Sequence, residues 1–292
     1  MRYDIRLRLS YEYQHPVADA RHLVRALPRE LPGVQSVASA RLDFVPAPDE
    51  RSDFADFFAN PTTAVSLRTA HEAFEVRMRA QVRVQRALPG ADRSPDLAGL
   101  QAELAAVRSL VPDSPHHFLP PSDRVVPLGR ITDYARPSLR DGGSVLGAVQ
   151  HLGRRLRNDF AYDPDATEVD TPLAKAFDMR AGVCQDFSHI MIAGLRGLGI
   201  PAGYVSGFLR TIPPPGKPRL EGADATHAWV RAWCGEAMGW QEFDPTNGIA
   251  SGDDHITLAY GRDYADVAPI AGVVKTLGRQ EAEQAVDVIP LD

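Results

Sequence analysis

The chain has 292 residues, 44% hydrophobic and 24% charged, with a formal net charge of −6. That is globular composition, long enough for two domains, and an acidic balance without a basic stripe excludes a nucleic-acid partner. Two cysteines make no disulfide framework and no stretch reaches the roughly 18 apolar residues that span a bilayer, so the expectation is a protein of the reducing cytoplasm without membrane association.

Along the chain, Tyr3, Ile5, Leu7, Leu9 and Tyr11 alternate with Arg2, Asp4, Arg6, Arg8 and Ser10, the period of a half-buried strand. Residues 64–67 and 74–84 look similar, and turn clusters at Pro46 and Pro61 separate these runs. Prolines then punctuate the sequence to Pro127, with one helix expected from Asp96 to Leu110. Helical patterns follow from Ser144 to Asn158 and from Thr171-Pro172 to about Gly182, the second with threonine as cap and proline at its first position. A further helix is expected from Cys184 to Leu198, ended by Gly199 before Pro201. Strands are expected at 203–210, 226–234 and 240–244. These changes divide the chain into a β-rich, sandwich-like N-terminal domain over 1–90, a connector with one helix over 91–135, a catalytic core over 136–268 and a C-terminal tail over 269–292.

Three residues in the core carry chemistry together. Cys184 follows a glycine and opens a helix, where free amides and the helix dipole favour a thiolate and hold an oxyanion. His227, on a strand-like segment, shares a face with Trp229, Arg231 and Trp233, which suits a general base beside a substrate-shaping wall. Ala228, Val230, Ala232 and Cys234 form the face expected to pack inward. Asp244 ends the next strand, after a short hairpin connection, where a carboxylate can hold the imidazole tautomer. Taken singly, Cys184 also reads as a buried structural thiol, His227 as a structural histidine, and Asp244, before Pro245, as a turn residue. A metal centre from Cys184, His189, His227 and Cys234 matches no zinc spacing, so neither metal nor cofactor is expected.

The blocks Gly182-Val-Cys-Gln-Asp-Phe-Ser-His-Ile-Met, Asp224-Ala-Thr-His-Ala-Trp-Val and Gly239-Trp-Gln-Glu-Phe-Asp-Pro-Thr-Asn resemble the transglutaminase-like superfamily. The likeness is to bacterial proteins with a β-rich region before a transglutaminase core. Gly261-Arg-Asp-Tyr resembles the close of that core, and residues 11–17 the opening of the N-terminal region. The resemblance implies an α+β, papain-like core with the cysteine helix packed on an antiparallel sheet. It also implies a triad of Cys184, His227 and Asp244. The expected function is thiol-dependent acyl transfer on a protein or peptide substrate, with water as acceptor in a cysteine protease or amidase. Glutamine transamidation and a catalytically silent peptide-binding module are the alternatives. Trp229 is the expected substrate contact, and the proline-rich stretch 212–220 is expected to act as a lid.

Overall fold

The structure is a computed structural model that describes every residue except 88, 89, 141, 212–221, 223, 276, 277 and 292. The expected lid therefore lies outside the described residues.

The N-terminal region contains β1 (Arg2–Val24), β2 (Gln35–Val45), β3 (Glu50–Ala55), β4 (Pro61–Leu67) and β5 (His71–Val84). Alternation sets β1: Tyr3, Ile5, Leu7 and Leu9 are buried, while Arg6 and Arg8 face water. Each such apolar burial contributes about 1.5–3 kcal/mol. Register shifts between Glu12 and Val17 and again between Ala18 and Arg21, with Asp19 at φ 54°, bend this strand. It therefore serves two parts of one curled antiparallel sheet of order β2-β5-β1-β4-β3.

The helical part begins with α1 (Leu97–Ala106), capped by Asp96 on the Gly99 amide, then α2 (Gly129–Ala135) and α3 (Val145–Asp159), capped by Ser144 on Gly147. After β6 (Ala161–Tyr162) comes α4 (Leu173–Met179), which starts later than expected. Pro172 is its cap residue rather than its first turn, and the Thr171 hydroxyl accepts the Glu168 amide instead of capping. Arg180 ends α4 in the left-handed conformation, φ 55°, with its guanidinium 4.5–4.9 Å from the ring centres of Tyr134, Phe160 and Phe177. The chain then forms β7 (Ala181–Gly182), paired in parallel with β6, and enters α5 (Cys184–Gly197).

The second sheet has β8 (Ala202–Leu209), β9 (Ala225–Trp233), β10 (Trp240–Asp244), β11 (Ile249–Ala250) and β12 (His255–Gly261) in the order β11-β10-β9-β8-β12. Phe187, Ile190 and Met191 of α5 join Ala228, Val230 and Ala232 of β9 in one core. α2 belongs to this core rather than to a connector: a Cβ at Gly197 would strike Thr132, and one at Gly194 would lie 2.9 Å from Ala135. The short α6 (Tyr264–Val267) leads to β13 (Ile270–Lys275) and β14 (Gln280–Pro290). These two strands correct the expected tail, because both pair with β1 and Val286 and Val288 enter the N-terminal core. No helix among the described residues is long and apolar enough to cross a membrane.

Candidate active site

Cys184 is held at the start of α5 by a local network. Asp186 Oδ2 accepts the Val183 amide (2.9 Å) and the Thr167 hydroxyl (2.6 Å), which satisfies the turn entering the helix. Gly182 leaves room for that carboxylate, since a Cβ there would strike it. The amides of Asp186 and Phe187 donate to Val183 O. Those of Cys184 and Gln185 are thus the ones placed to meet an external oxyanion. His189, one turn on, is buried against Tyr204 (ring centres 5.2 Å apart), and its Nε2 accepts the Tyr264 amide at 3.2 Å. Burial holds its imidazole below the ordinary value, with Asp263 opposing. Asp186 thus caps the helix and His189 packs it against α6.

His227 lies near the start of β9 and Asp244 at the end of β10. The register Phe243↔Val230 brings the two ends together. His227 Nε2 stands 2.8 Å from Asp244 Oδ2, and both side chains are buried. Burial alone would push the His227 imidazole down, but hydrogen bonds with Asp244 and with Cys184 outweigh it and raise it to about 10. Nε2 is taken by Asp244, which leaves Nδ1 for the Cys184 sulfur.

Asp244 has no exposed surface and accepts five hydrogen bonds. Oδ1 takes the amides of Thr246 (2.9 Å) and Asn247 (3.2 Å); Oδ2 takes Asn247 Nδ2 (2.6 Å) and the rings of His227 and His255 (2.8 and 3.2 Å). Burial pushes its carboxyl up, and the bonds from His227 and His255 more than reverse that, holding it well below the carboxylate range. Oδ1 of Asp244 thus holds the turn after β10, and Oδ2 faces the two imidazoles.

The second histidine was not marked by the sequence. Nδ1 of His255 accepts the Gly252 amide at 3.2 Å, so Nε2 carries the proton and donates it to Asp244. His227, Asp244 and His255 offer ligand atoms within 4.8 Å of one another, a set able to hold a metal ion. A cation there would displace the protons by which both rings hold the carboxylate. Tyr162 was also missed. Paired opposite Gly182 and 56% exposed, it stands near enough to Cys184 that the sulfur's charge adds to burial in raising its phenol.

Trp229 is not a wall that a substrate touches. It has no exposed surface; Nε1 donates to Glu242 Oε2 (2.7 Å), and the ring packs with Val205, Tyr260 and Leu31. Alternation predicts one buried and one open face for β9, whereas Trp229, Arg231 and Trp233 are all buried too. Leu31 and Phe118, from outside the sheet, cover that face. Cys184 is half-buried and Cys234 buried, and both are free thiols; burial pushes Cys234 up to about 12.

A family model described as the transglutaminase-like superfamily matches residues 132–245, which contain Cys184, His227 and Asp244. A second, the bacterial transglutaminase-like N-terminal region, matches residues 3–83. An uncharacterized protein of Mycobacterium tuberculosis is 33% identical over 304 residues, spanning 100% of this chain and 93% of its own. One of Mycobacterium leprae is 29% identical over 288 residues, spanning 97% and 96%. Among solved structures, "a Putative Cysteine Protease from Cytophaga hutchinsonii" superposes with TM-score 0.76 at 22% identity, covering 100% of this chain and 91% of that one. Two regions of the family architecture matched in order and relatives aligned from end to end leave one conclusion: the chain belongs to the transglutaminase-like superfamily, with the bacterial N-terminal region preceding its core.

Proposed function

We propose that the protein is a thiol-dependent enzyme that hydrolyses peptide or side-chain amides through Cys184, His227 and Asp244. The observation that carries this reading is the placement of one imidazole between a carboxylate at 2.8 Å and a half-buried thiol at a helix start. Cys184 gives its thiol proton to His227 as Sγ attacks the amide carbonyl carbon, and the amides of Cys184 and Gln185 receive the oxyanion. His227 delivers a proton to the leaving nitrogen, the C–N bond breaks and a thioester remains. Water then adds to the thioester, giving up a proton to His227, and the acid leaves as the thiol re-forms. Asp244 keeps the ring oriented and compensates its charge throughout.

Water is preferred over an amine as acceptor because a transamidase must keep water from its thioester. Here the two phenols near enough to feel the thiol are Tyr204, which is buried, and Tyr162, which is 56% exposed and leaves the sulfur open to water on its side. A reducing compartment fits two unpaired thiols.

The test is mass spectrometry of a mixed-peptide digest incubated with the protein, with and without a small primary amine, against a Cys184→Ala control. New peptide termini or glutamine-to-glutamate shifts that need Cys184 are the expected result. Amine adducts on glutamine would replace hydrolysis by transamidation. A third outcome, no Cys184-dependent product together with equal, slow alkylation of Cys184 and Cys234 at mildly acidic pH, would leave a peptide-binding module.

A further inference from the structure

Behind the catalytic sheet is a cavity of about 520 Å³, walled by three separate parts of the chain: residues 29–34 and 86–87, Asp113, and strands β9–β12. Its charge is unusual for a space partly lined by protein interior. Arg29, Arg86 and Arg231 face it against Asp113 and Glu242. Arg86 is fully engaged, on Glu242 (2.8 Å) and the Thr257 hydroxyl (2.7 Å). Arg231 is 3% exposed and stacked on Trp240, Tyr260 and Phe118, with guanidinium carbons 4.1, 4.3 and 4.6 Å from the ring centres. Its only ion pair among the described residues is with Asp113, itself 61% exposed at the side chain. Its Nε, although buried, has no acceptor among the described residues, and neither does the buried Ser251 hydroxyl on the same wall.

A second guanidinium shares the Tyr260 ring: Arg29 lies 4.8 Å from its centre, with its Nη1 donating to Phe58 O (2.6 Å) and Asn60 Oδ1 (2.8 Å). Burial holds Arg29 below its ordinary value; Tyr260 opposes that, and the charge of Arg231 adds to it. Two cations at one ring, one exposed carboxylate between them and orphaned donors on a buried wall are the ingredients of an anion site. Guanidinium forks match a carboxylate or phosphate in two parallel hydrogen bonds. Leu31, Pro32, Val34 and Trp240 add an apolar part to the lining, beside the polar Gln241 and Ser251, and the volume exceeds what a bare inorganic ion fills.

We propose that this cavity binds a small organic anion, its carboxylate or phosphate head between Arg231 and Arg29 and its apolar body against Val34 and Trp240. The site is distinct from Cys184 and stands whether or not the amide chemistry does.

The probes are benzoate and phenyl phosphate, titrated into the full-length protein at constant ionic strength, with chloride as the balancing anion and the melting temperature and heat of binding as readouts. A saturable response to one or both is expected, with Kd raised at least tenfold in Arg231→Gln. A response to benzoate alone assigns a carboxylate ligand, to phenyl phosphate alone a phosphate ligand, and to both a site that accepts either head. Because Arg231 is buried, Val34→Trp supplies a second variant that fills the cavity without touching its charges; it should abolish binding while the protein still melts cooperatively. No saturable response in the unaltered protein, or binding unchanged by Val34→Trp, would overturn the proposal.

Discussion

Two carboxylates sit two residues apart on β10, Asp244 buried and Glu242 nearly so, and their partners differ in kind. Glu242 is held by the guanidinium of Arg86 and by the Trp229 indole and Tyr260 hydroxyl. Burial pushes the Glu242 carboxyl up, but Arg86 and these donors bring it below its ordinary value. Asp244 is held by two imidazoles, and the one of His227 also reaches Cys184. Trp229 joins the clusters, since its indole bonds Glu242 and its ring lies 6.1 Å from that of His227 and 5.2 Å from that of His255. The comparison shows how one strand carries two carboxylates in different settings: hydrogen bonds hold each of them, and the partner of Asp244 is the one that also reaches a thiol.

That contrast breaks first at Asp244. Asp244→Asn removes the charge that balances the imidazolium and should cost about 10³–10⁴-fold in kcat/KM on whatever substrate the digest reveals, equivalent to roughly 4–5.5 kcal/mol. The fold should survive by circular dichroism, because the amide still reaches the turn amides of Thr246 and Asn247. A drop below tenfold would move Asp244 to the structural side of the comparison.

Glu242→Gln should reverse the balance. It strands Arg86 in a buried site, at about 3–5 kcal/mol of stability read from urea unfolding. Turnover per folded molecule should change little. An equal loss of turnover would mean that Trp229 transmits the state of Glu242 to the triad.

The pH dependence sharpens the distinction. His227 titrates near 6.5 unfolded and about 10 folded, so its contribution to stability is complete below about 6.5 and is lost as pH rises through 10. The melting-temperature gap between the unaltered protein and His227→Gln should therefore shrink across that window. Asp244 has the opposite sign: its carboxyl is depressed, so its contribution is present above about 3.9 and lost as pH falls through the folded value. Because Cys184 helps raise the imidazole, the alkaline loss should begin at lower pH in Cys184→Ala.

The smallest effect belongs to the helix entry. Asp186→Ala removes the acceptor of the Val183 amide and should cost about 1 kcal/mol of stability. Turnover should fall more than that stability loss explains, because the same bond sets the amides of Cys184 and Gln185. Unchanged kcat with a lowered Tm would confine Asp186 to a capping role.

Much of this was legible locally. The alternation of β1, the serine and aspartate caps of α3 and α1, and the cysteine helix stopped at Gly199 all depend on neighbours within a few residues. The three chemical blocks were legible as well, through their residue types and spacing. Other features were not. Val286 and Val288 alternate as a strand does, but a strand needs a partner, and theirs is 279 and 283 residues away on β1, at Leu7 and Ile5. His255, in a run of ordinary strand residues, becomes a partner of Asp244 only when β12 and the turn after β10 converge. The burial of Trp229 depends on Leu31 arriving from another part of the chain.

By itself, then, the sequence determined which segments could be strand or helix and which side chains could act as nucleophile, base and orienter, because periodicity, capping and residue chemistry are local properties. Only the tertiary structure decided that one oxygen of Asp244 meets two rings, that the second face of β9 is closed, and that β13 and β14 pair with β1 of the first sheet. These depend on register and on contacts between residues far apart in the chain; a one-residue slip in the pairing of β9 would turn its inward side chains outward.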